Sequence, residues 1–280
     1  MKFENNSNAV LNIETKVPFL TFPCLSELKF IRHGFSTRLG GVSKGCFESM
    51  NLGHNRGDEP EAVDENFNRI SISMGFDKNS LVLSDQVHNT EIRLVTEEDT
   101  GKGILRERDY QGVDGLITNT TGIPLVTFYA DCVPLYFVDM KNHAIGLSHS
   151  GWRGTVDRMG KVTLEAMTRH FGTNPKDVIA VIGPSICGDC YEVSADVENA
   201  FRSEFTENQL QDIVIDKMNG KYQLNLWEAN RYIMMDAGIP EENITVSGVC
   251  TCCNNELLFS HRATQGRRGT LAAFLMLEEN

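Results

Sequence analysis

The sequence predicts an α/β protein with α+β character, in which mixed β-sheets are sandwiched between helix layers in one compact domain. Three observations carry that expectation. Helical stripes alternate with ten short runs rich in β-branched or aromatic residues. Adjacent runs such as 124–129 and 134–138 lie too close for a helical crossover, so such pairs are antiparallel or split between sheets. No Pro/Gly/Ser-rich linker divides the chain, so residues 1–280 read as one domain with 1–20 a peripheral N-terminal segment.

The elements follow in order. A helix is expected over 59–74, where Pro60 takes an early helical position, Val63, Phe67, Ile70 and Met74 form one stripe, and Gly75 ends it. A second is expected over 156–171, with Val156, Met159, Thr163, Met167 and Phe171 inward and Gly172 at its end. Others are placed at 195–205 after Ser194, and at 227–237 before Gly238 and Pro240. Strands are expected at 81–84, 91–95, 124–129, 134–138, 144–148, 178–182, 222–226, 244–247, 256–260 and 270–277.

Composition narrows the function classes. The 280 residues, 41% hydrophobic and 23% charged, are those of an ordinary globular protein. A net charge of −12 argues against a general binder of nucleic-acid backbone, but leaves room for one small anion in a local basic pocket. The start, MKFENNSNAVLNIETK, has no basic segment followed by an apolar one, and no apolar run approaches the about 18 residues of a membrane span. These features place the protein in the cytoplasm and off the membrane. Eight scattered cysteines then read as free thiols or metal ligands, not as a disulfide framework.

Three residues look like one metal site: His88 in SDQVHNT, Cys132 in FYADCVPL and His149 in GLSHSGWRGT. Each stands where a strand-like run gives way to a polar turn. Two imidazoles and a thiolate suit zinc, and three protein ligands leave a tetrahedral ion one open position, as in catalytic sites. A lone strand-end histidine is more often a packed residue than a ligand. Cys132 changes the balance, because Asp131-Cys132 interrupts an apolar strand ahead of Pro134. Gln86, Asp131 and Ser148 are candidate partners that orient the ligands.

Glycine-rich loops supply the second signal. Gly151-Trp152-Arg153-Gly154-Thr155 links a strand to a helix N-terminus, a geometry that gathers backbone N–H groups for an anion, with Arg153 adding a fork of donors. Gly34 to Gly45 carries Arg38 and Lys44 and leads to Asn51, without the G-K-[ST] of a Walker loop. Ser260-His261-Arg262 through Gly269 is again basic and glycine-bounded. Five further cysteines, in Cys187-x-x-Cys190 and Cys250-x-Cys252-Cys253, allow a closed zinc site or a redox pair. Their spacing matches no standard ribbon or knuckle, so inert thiols are the expectation.

Together, GFSTRLGGVSKGCFESMNLG (34–53), DQVHNTEI (85–92), VDGLIT (113–118), ADCVPL (130–135), SHSGWRGT (148–155), IGPSICGDCYEV (182–193) and LFSHRATQGRRG (258–269) resemble the YfiH-type laccase-domain family. That family was formerly described as multicopper polyphenol oxidases and is now described as purine nucleoside phosphorylases. The resemblance spans nearly the whole chain in the family's order, and its ADC…P and HxGWRG signatures are specific as a pair. This chain has Ser150 where many members have alanine, and LFSHR where FFSYR is common. Neither departure touches the trio.

The resemblance implies a Zn2+ site at His88, Cys132 and His149, which are also the catalytic residues, with copper an alternative occupant. It implies phosphorolysis of adenosine, inosine and 5′-methylthioadenosine, with adenosine deamination as a second reaction. Purine nucleosides and phosphate are then the partners. Their expected contacts are Arg38, Asn51, Asp131, Arg153 and Arg262, with Asp131 or Glu192 as proton shuttles. A copper-dependent phenol oxidase is the alternative, but a multicopper centre needs roughly ten imidazoles, largely in H-x-H pairs. This chain has seven histidines and no such pair. A Cys–His hydrolase with Cys132 as nucleophile and His149 as base is a further alternative. A non-enzymatic metal module ranks last, because the anion-binding loops would then serve nothing.

Overall fold

A computed structural model describes residues 2–278, and its strands form three sheets. The first runs in the order β1 (Val10–Asn12), β2 (Phe19–Thr21), β3 (Ile31–Ser36), β15 (Leu271–Leu277), β7 (Leu125–Tyr129) and β4 (Val82–Leu83). The second runs β14 (Ile244–Val246), β10 (Val178–Ile182), β8 (Val133–Asp139), β9 (Ala144–Ser150), β6 (Gly115–Thr118) and β5 (Ile92–Leu94). A small third sheet holds β11 (Glu192–Ser194), β13 (Lys221–Leu224) and β12 (Val214–Asp216). Pairing is mostly antiparallel. The pairs β4–β7, β5–β6 and β10–β14 are parallel, so both large sheets are mixed as expected.

The large sheets lie face to face with helices outside them, because their central strands are apolar on both faces. In β15, Leu271, Ala273, Leu275 and Leu277 face the layer between the sheets. The alternate Ala272, Phe274 and Met276 face α2 (Pro60–Met74). In β8, Tyr136 and Val138 face the same inner layer, and Tyr136 reaches across it to the Gly34 carbonyl. Val133, Leu135 and Phe137 pack outward with α4 (Met159–Phe171), α5 (Ala195–Glu204), α6 (Glu207–Ile213) and α7 (Leu226–Asp236). Of the stretch 1–20, expected at the periphery, residues 2–20 follow the edge of the first sheet, and Ala9, Val17, Phe19 and Leu20 are buried.

Several expectations need correction. The helix expected over 156–171 is two: α3 (Trp152–Val156) ends, and α4 starts after Arg158, which is left-handed at φ 58°. Arg158 is held there by Asp236, 2.6 Å away, and by the ring of Phe205. The α6 helix was not foreseen, although Thr206 and Gln209 form a capping box. The run 256–260 is no strand, because Leu257 and Leu258 donate to the Asn254 carbonyl in tight turns. Strands β1, β2, β3, β6, β11 and β12 were also missed. They are short, or in β3 interrupted by Gly34, so their periodicity is weak. No helix among the described residues is long and apolar enough to cross a membrane.

Candidate active site

Strand geometry explains how the trio meets. The chain leaves the first sheet at Tyr129 and enters the second at Val133, so Ala130-Asp131-Cys132 is the corner joining them. Asp131 is left-handed at φ 89°, a conformation a non-glycine residue holds only when its surroundings impose it. Its carboxylate supplies that hold by accepting from the Thr251 hydroxyl and the Arg262 backbone N–H, each at 2.6 Å. The corner carries Cys132 to the mouth of the layer between the sheets.

On β9, Ile145 and Leu147 face that layer, and period two puts His149 on the same face at the strand's end. The β6–β9 register pairs Gly115 with Ser148, which sets Asp114 directly opposite His149. Asp114 Oδ1 lies 2.8 Å from His149 Nδ1, leaving Nε2 to face the mouth. The same carboxylate accepts from the backbone N–H of His88 at 3.0 Å and of Val87 at 2.8 Å. One buried acid therefore orients one imidazole and anchors the loop of the other. His88, also left-handed at φ 66°, turns its exposed side chain toward the corner. Its Nε2 lies 3.9 Å from Cys132 Sγ.

Gly151 completes the packing. A Cβ there would stand 3.0 Å from His88 Cδ2 and 3.2 Å from Cys132 Sγ, so this glycine provides the clearance the trio needs. Its turn is clamped from below. The Ser150 hydroxyl meets Thr155 Oγ1 and Asn230 Oδ1, while Asn230 Nδ2 donates to Thr155 Oγ1 and the Leu226 carbonyl.

Burial and charge oppose each other here. Burial disfavours the Cys132 thiolate, but His149 and His88 outweigh it and hold the thiol down at about 6. Burial likewise disfavours a charged His149, and Cys132 with Asp114 lifts it to about 9. The donor atoms of His88, Cys132 and His149 all lie within 4.8 Å of one another. Two imidazoles and a low-pKa thiol, one imidazole oriented by a carboxylate, make a donor set that fits a metal ion.

The trio opens onto a cavity of about 570 Å³, within the range of small-molecule sites. Its wall is unusually basic for so acidic a chain, with Arg56, Arg108, Arg262 and Arg268 beside His54 and His261. Arg108 is paired with Asp85 at 3.0 Å. Arg262 donates to the carbonyls of Cys190 and Glu192 and lies over the Tyr191 ring. Arg56 and Arg268 have no acidic partner within ion-pair distance among the described residues. Arg268 is 8% exposed; its Nη1 donates to the Gly269 carbonyl and to Thr270 Oγ1, and among the described residues its buried Nε has no hydrogen-bond partner. Burial, and then Arg56, pushes its guanidinium down to about 10.

The structure brings some expected residues to this cavity and not others. His88, Cys132, His149, Asp131 and Arg262 line it. Arg38 does not. Its guanidinium donates to the carbonyls of Glu48 and Asn255 and lies over Phe259, so it clamps loops. Asn51 is fully buried and ties Gly53, Asp58 and Thr270 together. Arg153 stacks on Trp152, outside the cavity lining. Glu192 turns to Lys217. Of the expected orienting groups, Gln86 ties to Phe128 and Ser148 points to Thr163 on α4. Asp114 holds the role instead. Its signal was VDGLIT, a lone acid leading an apolar run, and Arg268 stood within the basic, glycine-bounded stretch without being singled out from it.

Residues 32–278 match the family model described as multi-copper polyphenol oxidoreductase laccase. The chain is 40% identical to purine nucleoside phosphorylase YlmD of Bacillus subtilis (strain 168), over 88% of each chain. It is 35% identical to adenosine deaminase RL5 from an unknown prokaryotic organism, over 81% of this chain and 87% of that one. The crystal structure of YlmD from Geobacillus stearothermophilus superposes with a TM-score of 0.90 at 33% identity, covering 97% of this chain and 100% of that one. A match across nearly the whole length, in sequence and in fold, places this chain in the YfiH-type family of multi-copper polyphenol oxidoreductase laccases.

Proposed function

We propose that this chain is a zinc-dependent purine nucleoside phosphorylase that also deaminates adenosine, acting on adenosine, inosine and 5′-methylthioadenosine in the cytoplasm. The observation that carries the reading is the open metal-ligand trio on the wall of a cavity whose Arg56 and Arg268 have no acidic partner among the described residues. Relatives named purine nucleoside phosphorylase and adenosine deaminase support the same class of chemistry.

Phosphorolysis needs phosphate held against the anomeric carbon. Arg268 lines the cavity with a guanidinium that has no acidic partner among the described residues, and Arg56 adds charge beside it. Their mutual repulsion is relieved when an anion lies between them. The bond that breaks leaves positive character on the sugar and negative charge on the purine, so donors fixed in place stabilise the transition state more than the substrate. When bound by His88, Cys132 and His149, an ion supplies an open coordination position and Lewis-acid character. Asp114 keeps His149 Nδ1 protonated, so Nε2 stays available as a ligand. Asp131 holds the cavity corner by accepting from Thr251 and Arg262, and so positions Cys132.

A second reading rests on the chain Cys132–His149–Asp114, in which an oriented imidazole adjoins a low-pKa thiol, as in a Cys–His hydrolase. One experiment separates the two. Metal-defined protein is incubated with adenosine, with and without phosphate, and the products are chromatographed. Adenine formed only with phosphate, and inosine formed without it, are the expected results. Neither product, or full activity in Cys132→Ala, would sink the proposal. Stoichiometric zinc that protects Cys132 from alkylation counts against the hydrolase.

A further inference from the structure

A second cysteine cluster lies behind the cavity wall, built from motifs the activity does not use. Strands β10 and β14 are parallel neighbours, with Ile182 opposite Val246. Parallel strands release their following loops at the same end of the sheet, so 183–191 and 247–259 emerge side by side. A bridge between Ser185 and Cys250 continues the pairing into the loops. The loops thereby bring Cys187-x-x-Cys190 against Cys250-x-x-Cys253, a second such spacing concealed in the sequence by Cys252.

The four sulfurs all lie within 4.8 Å of one another. Cys253 Sγ is 3.5 Å from Cys190 Sγ and 4.0 Å from Cys187 Sγ. Disulfide sulfurs sit about 2.05 Å apart, so these are not bonded. A tetrahedral zinc with Zn–S of about 2.3 Å spaces its sulfurs about 3.8 Å apart. Two backbone N–H groups point at Cys250 Sγ, from Cys187 at 3.3 Å and from Cys253 at 3.4 Å. Such donors suit a thiolate. They come from the partner loop and from the third residue on, and hold the sulfur as outer hydrogen bonds hold a metal ligand.

We infer that Cys187, Cys190, Cys250 and Cys253 form a closed, mononuclear tetrathiolate zinc site that staples the two loops behind the cavity. Binding releases any proton still carried by the four sulfurs to solvent, and the dication offsets two of the four negative charges with no redox step, leaving a net −2 for the backbone N–H donors to face. Four protein ligands leave no open position, so the site is structural. Its consequence for the cavity is direct. Ile186 and Tyr191 of the first loop line the wall, and the Cys190 and Glu192 carbonyls receive the Arg262 guanidinium. Thr251 of the second loop holds Asp131.

Metal analysis of the full chain, purified without chelator, tests this. Wild type is expected to hold two zinc per chain. Cys132→Ala/His149→Ala, which leaves the four cysteines untouched, is expected to retain one. Cys190→Ser/Cys253→Ser should lose one and keep the other. Cobalt substituted into Cys132→Ala/His149→Ala should show the intense visible bands of a tetrahedral tetrathiolate. A Cys132→Ala/His149→Ala protein without bound metal overturns the site whether or not the serine variant folds. A disulfide among the four cysteines, found by mass after alkylation under native conditions, also overturns it. Mononuclear iron at the same stoichiometry would overturn the choice of zinc.

Discussion

Replacing Asp114 with asparagine keeps the side chain's size and removes its charge at the centre of the candidate site. Asp114 is fully buried and accepts three hydrogen bonds, from His149 Nδ1, His88 N and Val87 N. Asparagine has one carbonyl oxygen. Its amino group must therefore face either the Val87 N–H, or the His149 and His88 donors together. Leaving a buried donor unsatisfied costs about 1–3 kcal/mol. Loss of the carboxylate behind a ligating histidine typically weakens metal binding about 10–100-fold. Expressed as free energy, that range is about 1.4–2.7 kcal/mol, so two independent routes give the same magnitude. Apo-protein titrated with zinc against a chromophoric chelator should show the dissociation constant of Asp114→Asn raised by this factor. Activity should largely return at saturating zinc, because no atom that touches substrate has been removed. Wild-type zinc affinity in Asp114→Asn, alongside its loss in Cys132→Ala, would refute the orienting role.

Three further outcomes follow from the same geometry. Gly151→Ala places a methyl 3.0 Å from His88 and 3.2 Å from Cys132, so metal content should fall while the thermal midpoint changes little; undiminished metal would mean the trio has slack. Arg268→Gln removes a buried guanidinium that has no acidic partner among the described residues. Charge-assisted bonds of about 1.5–3 kcal/mol imply a KM for phosphate raised about 10–100-fold. Deamination, which uses no phosphate, should keep its rate, and equal loss of both reactions would point to a structural role for Arg268. His33 is buried and accepts from the Phe22 N–H, and burial lowers its pKa to about 4. Because the folded value lies below the unfolded one near 6.5, its contribution is complete above pH 6.5 and is lost as pH falls toward 4. The loss reaches about 3 kcal/mol, of which about 2 fall between pH 7 and 5. Urea unfolding at both pH values reads it, and His33→Gln with an unchanged pH slope would refute it.

Much of the fold was legible because periodicity and punctuation agree. The 59–74 stripe became α2, ended by a left-handed Gly75, and nine of the ten expected strand runs contain strands. Strands buried on both faces announce themselves by long apolar runs, as in β8 and β15. The break at Arg158 was not legible, because it depends on Asp236 and Phe205, residues distant in sequence. At the site, chemically rare residues at strand ends marked His88, Cys132 and His149 before any contact was known. Arg38 and Arg153 show the converse. Glycine beside arginine describes an anion loop and a backbone clamp equally well, and what the guanidinium touches separates them.

What the sequence alone determined is which residues carry unusual chemistry and that mixed sheets between helices hold them. Composition and local pattern act along the chain, and they suffice for that. Tertiary structure decided who meets whom. The β6–β9 register put Asp114 behind His149, and parallel β10 and β14 brought two cysteine pairs into one cluster. Among the described residues, burial without an acidic partner set Arg268 apart from the other arginines. These are pairings across long sequence separations, fixed by sheet register and by the energetics of buried charge, and no local pattern encodes either.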